Sequence, residues 1–160
     1  MKRIARVRAI GASVMMGAPG CSRNEADTFA GVQTDVATLG KFVTLRLVPV
    51  WAKWSVTTIG KDERFGTTDT MLWAVVRYSD ADVAAVSRAL QADAASRPVT
   101  MGAPPAWLLA DVDLTRFRHG SDYVIEKSVS VGRPFASDLY ATGFALMLPD
   151  HRVLIRFSSQ

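Results

Sequence analysis

Between Lys41 and Gln160, apolar side chains recur with a period of two in several short runs and with a helical period in one. These periods distinguish strands from helices, because side chains alternate across a strand but return to the same helix face after three or four residues. Phe42 to Val48 is the first expected strand, with Val43, Leu45 and Leu47 on one face, Thr44 and Arg46 on the other, and Pro49 closing it. Trp54, Val56 and Thr58 alternate with Ser55, Thr57 and Ile59 in a second. Met71 to Tyr78 is a third, and its nearly unbroken apolar character predicts a central strand covered on both faces. A charged loop from Gly60 to Gly66 links the second and third strands as a hairpin, so the three together predict a meander.

Ser79, with Asp82 three residues later, forms a capping pattern ahead of a helix expected to run to about Ala94. Val83, Val86 and Leu90 fall on one face of it. A helix of this length is marginal alone in water, so that face needs a sheet to pack against. Pro104-Pro105 then introduces a short helix from Ala106 to Asp111. In the last third, Tyr123, Ile125, Val129 and Val131 alternate with Val124, Glu126, Ser128 and Ser130 in one expected strand. Tyr140 to Leu148 and Arg152 to Phe157 flank the turn-forming Pro149-Asp150-His151 as a terminal hairpin. Strands, then helix, then strands predict an α+β fold: a mostly antiparallel sheet of about six strands with one long helix packed on one face.

With 160 residues and 49% of them hydrophobic, the chain can bury one core, and its 21% of charged residues in both signs argues against disorder. The net charge of +4 raises the question of nucleic acid as a partner. That excess sits at the front. Setting aside Lys2, Arg3, Arg6 and Arg8 from the 19 basic residues leaves 15 against 15 acidic ones, all of which follow Cys21. A domain so balanced lacks the electrostatic attraction behind non-specific phosphate binding, so no nucleic-acid partner is expected.

After those basic residues, Ala9 to Ala18 is uncharged and mostly apolar, and small residues lead to the lone cysteine, Cys21. This is the three-part layout of a secretory signal peptide, too short to span a membrane. The segment Gly17-Ala18-Pro19-Gly20-Cys21 resembles the lipobox of bacterial lipoproteins. The resemblance covers this segment only, and it implies that Cys21 becomes the lipid-modified first residue of the mature chain. Ser22, in place of the Asp that favours inner-membrane retention in such lipoproteins, implies the outer membrane, with the domain facing the periplasm. Ala18 and Gly20 are also small residues where ordinary signal peptidase reads, so plain secretion is the competing reading. The expected organisation is a signal peptide over residues 1–20, a tether over 21–40 and a single domain over 41–160.

Candidate chemistry is sparse. His119-Gly120-Ser121-Asp122 contains the residue types of a nucleophilic triad, but such triads are assembled by geometry and not by adjacency, and a polar turn explains the tetrapeptide. Asp111, Asp113, His119 and Asp122 match no metal-binding spacing, and Gly60 to Gly66 lacks the Lys and Ser or Thr of a phosphate loop. No cofactor or metal is expected. Among the aromatic residues Trp51, Trp54 and Trp107 are the candidates for a ligand surface, with Trp51 best placed for exposure. The leading expectation is therefore a membrane-anchored envelope lipoprotein, a non-enzymatic binding or accessory module, held by an acylated Cys21 and able to meet an envelope protein partner. The alternatives are a small secreted hydrolase using His119 or Ser121, and an uncleaved cytoplasmic protein.

Overall fold

The computed structural model describes residues 31–59, 69–95, 98–126 and 129–159. Its elements, in chain order, are α1 (Val36–Leu39), β1 (Trp51–Ile59), β2 (Asp69–Arg77), α2 (Asp80–Ala92), β3 (Ala94–Ala95), β4 (Val99–Thr100), α3 (Ala106–Asp111), β5 (Arg118–His119), β6 (Asp122–Ile125), β7 (Val129–Ser130), β8 (Thr142–Met147) and β9 (Arg152–Ser158). Six strands form an antiparallel sheet in the order β1-β2-β9-β8-β7-β3, and β4-β6-β5 form a smaller one, so the fold is α+β. The expected signal peptide, Cys21, the first part of the tether and the Gly60–Gly66 loop lie outside the described residues.

Alternation along β2 builds two cores, one on each face of the sheet. Leu72, Ala74 and Val76 point to one side, where Trp54 and Val56 from β1, Val153, Ile155 and Phe157 from β9, and Val86 and Leu90 from α2 join them. Trp73 and Val75 point to the other, which is filled by Phe144, Leu154, Leu108 of α3 and Ile125 of the smaller sheet. The near-continuous apolar run of β2 is thus accounted for by cover on both faces. Arg156 is a charged residue on the second face, in register with Trp73. Its Nε is buried without an acceptor among the described residues, and the Trp73 ring, 5.9 Å from the guanidinium, supplies compensating electron density.

Among the described residues α2 is the one helix longer than seven residues. Ser79 caps it: its hydroxyl accepts from the Asp82 amide at 3.3 Å and donates to the Asp82 carboxylate at 2.7 Å. Losing this cap in Ser79→Ala is expected to lower stability by about 1 kcal/mol, read from the urea midpoint at unchanged slope. The β8–β9 turn runs through Asp150 and His151, both with φ of 58°, and the Arg152 amide donates to the Pro149 carbonyl. Two central residues with positive φ match the twist of the flanking strands. The His151 ring, 3.0 Å from the Asp80 carboxylate, ties this turn to the start of α2.

Four expectations are corrected. Phe42 to Val48 is not a strand, although Val43 is buried and Leu45 and Leu47 pack against the first core. Its polar groups bond a loop instead of a ladder: the Thr44 amide donates to the Phe135 carbonyl, the Thr44 hydroxyl to the Ala136 carbonyl, and the Ser137 hydroxyl to the Phe42 carbonyl. The meander is absent because no strand from the 42–48 segment pairs with β1, which is the edge of the sheet, while β2 pairs with β9 on its other side. The strand expected over Tyr123 to Val131 divides between the sheets, with β6 in the smaller and β7 in the larger. Packing begins before Lys41: Gln33 exchanges backbone hydrogen bonds with Trp54, and Leu39 is fully buried, so the end of the expected tether belongs to the core.

Candidate functional site

The three candidate tryptophans do not share a surface. Trp54, in register with Ala74, faces the first core with 0% exposure; its indole N–H donates to the Asp35 carbonyl and its ring lies 5.4 Å from that of Phe42. Trp51, three positions away and so of opposite parity, packs half-buried against the second core. Trp107, from α3, covers the same side: its N–H donates to the Ser55 hydroxyl at 2.9 Å and the Lys53 ammonium lies 5.6 Å from its ring. Trp51 lines an open depression with Arg77, Asp150 and Arg152. Arg152 is already committed there, donating to the Asp111 carbonyl and lying 3.6 Å from the Asp150 carboxylate.

The two histidines are separated in role as well as in sequence. His119 lies 3.6 Å from Glu126 on the smaller sheet, whereas His151 is paired with Asp80. Among the described residues neither imidazole receives a serine hydroxyl, and Ser121 is exposed. Asp111 is drawn to Lys53, and Asp113 accepts from the amide and hydroxyl of Thr115, contacts that hold its carboxyl below the usual carboxylate range. Among the described residues no group of three or more His, Cys, Asp or Glu side chains converges as a metal site.

A better-formed site lies on the first face, where the 42–48 segment, α2 and the loop around Phe135 meet without filling the space between them. The result is a groove of about 280 Å³ lined by Arg46, Leu47, Tyr78, Ala85, Val86, Ala89, Pro134 and Phe135. This volume is at the lower edge of the roughly 300–1,000 Å³ of small-molecule sites. Each wall has a local cause. Ala85 and Ala89, one turn apart on α2, are too small to reach the opposite segment. Leu47 and Phe135 are held in place by the hydrogen bonds that lash Thr44 to the Phe135–Ala136 backbone.

Tyr78 supplies the groove with a neutral polar group. It follows β2 directly, its amide donates to the His151 carbonyl, and it is 3% exposed. Its hydroxyl has no hydrogen-bond partner among the described residues. Burial, reinforced by the charge of Asp82, pushes the phenol up to about 12. At physiological pH it is a neutral group with a hydrogen to donate. With no bond to break among the described residues, the hydroxyl is open to an acceptor that enters the groove. Arg46, exposed at the rim, makes no ion pair among the described residues, and no carboxylate lines the groove.

Sequence reasoning missed this groove because its walls are far apart in the chain. The available local trace was the pair Ala85 and Ala89, small exposed residues one turn apart beside the buried Val86 and Leu90. Comparison with protein-family models, with curated proteins and with solved structures finds no match, so the groove is read from its own geometry.

Proposed function

We propose that the chain is a membrane-anchored envelope lipoprotein acting as a non-enzymatic binding module, with Cys21 as its lipid attachment and the Tyr78 groove as its ligand site. The observation that carries the reading is a mostly apolar groove with Arg46 and a neutral Tyr78 hydroxyl that makes no hydrogen bond among the described residues, the arrangement by which small-molecule sites orient a ligand. The basic, apolar and small-residue layout that ends at Cys21 supports the anchor. Acyl chains on Cys21 hold the domain at the outer membrane, facing the periplasm, and more than one chain is needed because a single chain binds only weakly and reversibly. In this arrangement α2 serves as the long helix on one face of the sheet, its alanines forming a wall of the site. Val48 and Leu139, exposed on the segments that carry Leu47 and Phe135, offer contact area to an envelope partner.

The anchor is tested by the intact mass of protein extracted from the membranes of a bacterial host. A mass equal to residues 21–160 plus acyl groups is expected, and Cys21→Ser should move the protein to the soluble periplasmic fraction. A Cys21→Ser chain that still sediments with membranes overturns the anchor.

A further inference from the structure

The groove has a polarity that narrows its ligand. Leu47, Ala85, Val86, Ala89, Pro134 and Phe135 give it apolar walls, with Tyr78 as a neutral hydrogen-bond donor and Arg46 as a cation. Among the described residues no acidic side chain lines it. Asp82, whose negative charge reaches the Tyr78 phenol, does not itself line the groove, and Arg46 is the place for an anion. The exposed position of Arg46 lets its guanidinium meet a head group that stays partly in water, while the apolar part displaces water from the walls.

We propose that the groove binds a small anionic amphiphile, its chain against α2 and Phe135, its charged head at Arg46, and Tyr78 donating a hydrogen bond to an acceptor oxygen. This rests on the reading of the groove as a ligand site and adds the class of ligand. Charge complementarity selects it over the uncharged and cationic amphiphiles that the same apolar walls would accept.

The test uses the full chain carrying Cys21→Ser, so that no acyl group of its own competes, and calorimetric titration with decanoate, decanol and decyltrimethylammonium below their micelle-forming concentrations. Decanoate should bind about tenfold more tightly than decanol, as expected for one charged hydrogen bond, and decyltrimethylammonium should bind most weakly. Arg46→Gln should remove the preference for decanoate while leaving decanol affinity unchanged. Tyr78→Phe, which keeps the ring, should weaken decanoate and decanol alike by roughly three- to tenfold. Ala89→Phe, at an exposed helix position, should block all binding without loss of helical signal. Equal binding of decanoate and decanol, both abolished by Ala89→Phe, overturns the anionic preference and leaves the groove standing. If none of the three probes binds, or if binding survives Ala89→Phe, the groove itself is not the ligand site.

Discussion

Gly143→Ala is expected to destabilise the protein by more than about 3 kcal/mol, at or beyond the upper end for an overpacked core. Gly143 lies in β8 opposite Phe157 of β9, and a Cβ there would overlap the Arg156 carbonyl oxygen and sit 2.8 Å from the Phe157 Cα. These are backbone atoms of a strand hydrogen-bonded on both sides, to β2 and to β8, so a shift that makes room strains two ladders together. Gly132 is a useful contrast. Its φ of 86° favours glycine, and the atom nearest an added Cβ is the tip of the Phe157 ring, at 2.6 Å, a side-chain atom and not backbone. Urea unfolding of Gly143→Ala should show a markedly lower midpoint or no folded baseline. A midpoint within experimental error of the parent would mean that β8 and β9 are not packed as described.

Trp54→Ala is expected to cost about 3–5 kcal/mol, the range for emptying a buried tryptophan site. Its particular effect should be local. Trp54 holds the 33–47 segment at three points: backbone hydrogen bonds to Gln33, the indole donor to the Asp35 carbonyl, and the ring against Phe42. With the ring removed, Lys41 and Arg46 should be cut by trypsin faster than the global loss of stability accounts for. Trp54→Phe keeps an aromatic ring but loses the N–H donor, and should fall between parent and alanine in both measurements. Equal acceleration of cleavage throughout the chain would show that the segment does not open as a unit.

The parts of the fold that the sequence predicts well are those with local causes. The terminal hairpin follows from Pro149-Asp150-His151, the start of α2 from Ser79 and Asp82, and the double cover of β2 from an apolar run that leaves no polar face. The 42–48 segment shows where such reasoning stops. Alternation there correctly placed Val43, Leu45 and Leu47 against the core, but it says which side chains are buried and nothing about where the amides bond. Those partners sit near residue 135, and no local pattern indicates them. The groove is illegible for the same reason. Arg46, Tyr78 and Phe135 acquire a common role only when three distant stretches are brought together, and the property that matters is a volume left unfilled. The tryptophans misled in the opposite direction, because parity alone separates Trp54 from Trp51 and places them on different faces.

The place of β9 within the large sheet bears on how the protein is made. It lies between β2 and β8, so Ala74 can meet Ile155 only after the ribosome has passed both and the tunnel has released them. Until then the β1–β2 hairpin has an open inner edge, and both cores lack Val153, Leu154, Ile155 and Phe157. Pairing between strands so distant in the chain is slow, because the intervening loop must be closed before contacts compensate for its lost entropy. Until β9 has emerged, the nascent chain therefore has no closed sheet. In that interval it exposes an apolar strand edge that a chaperone has reason to hold.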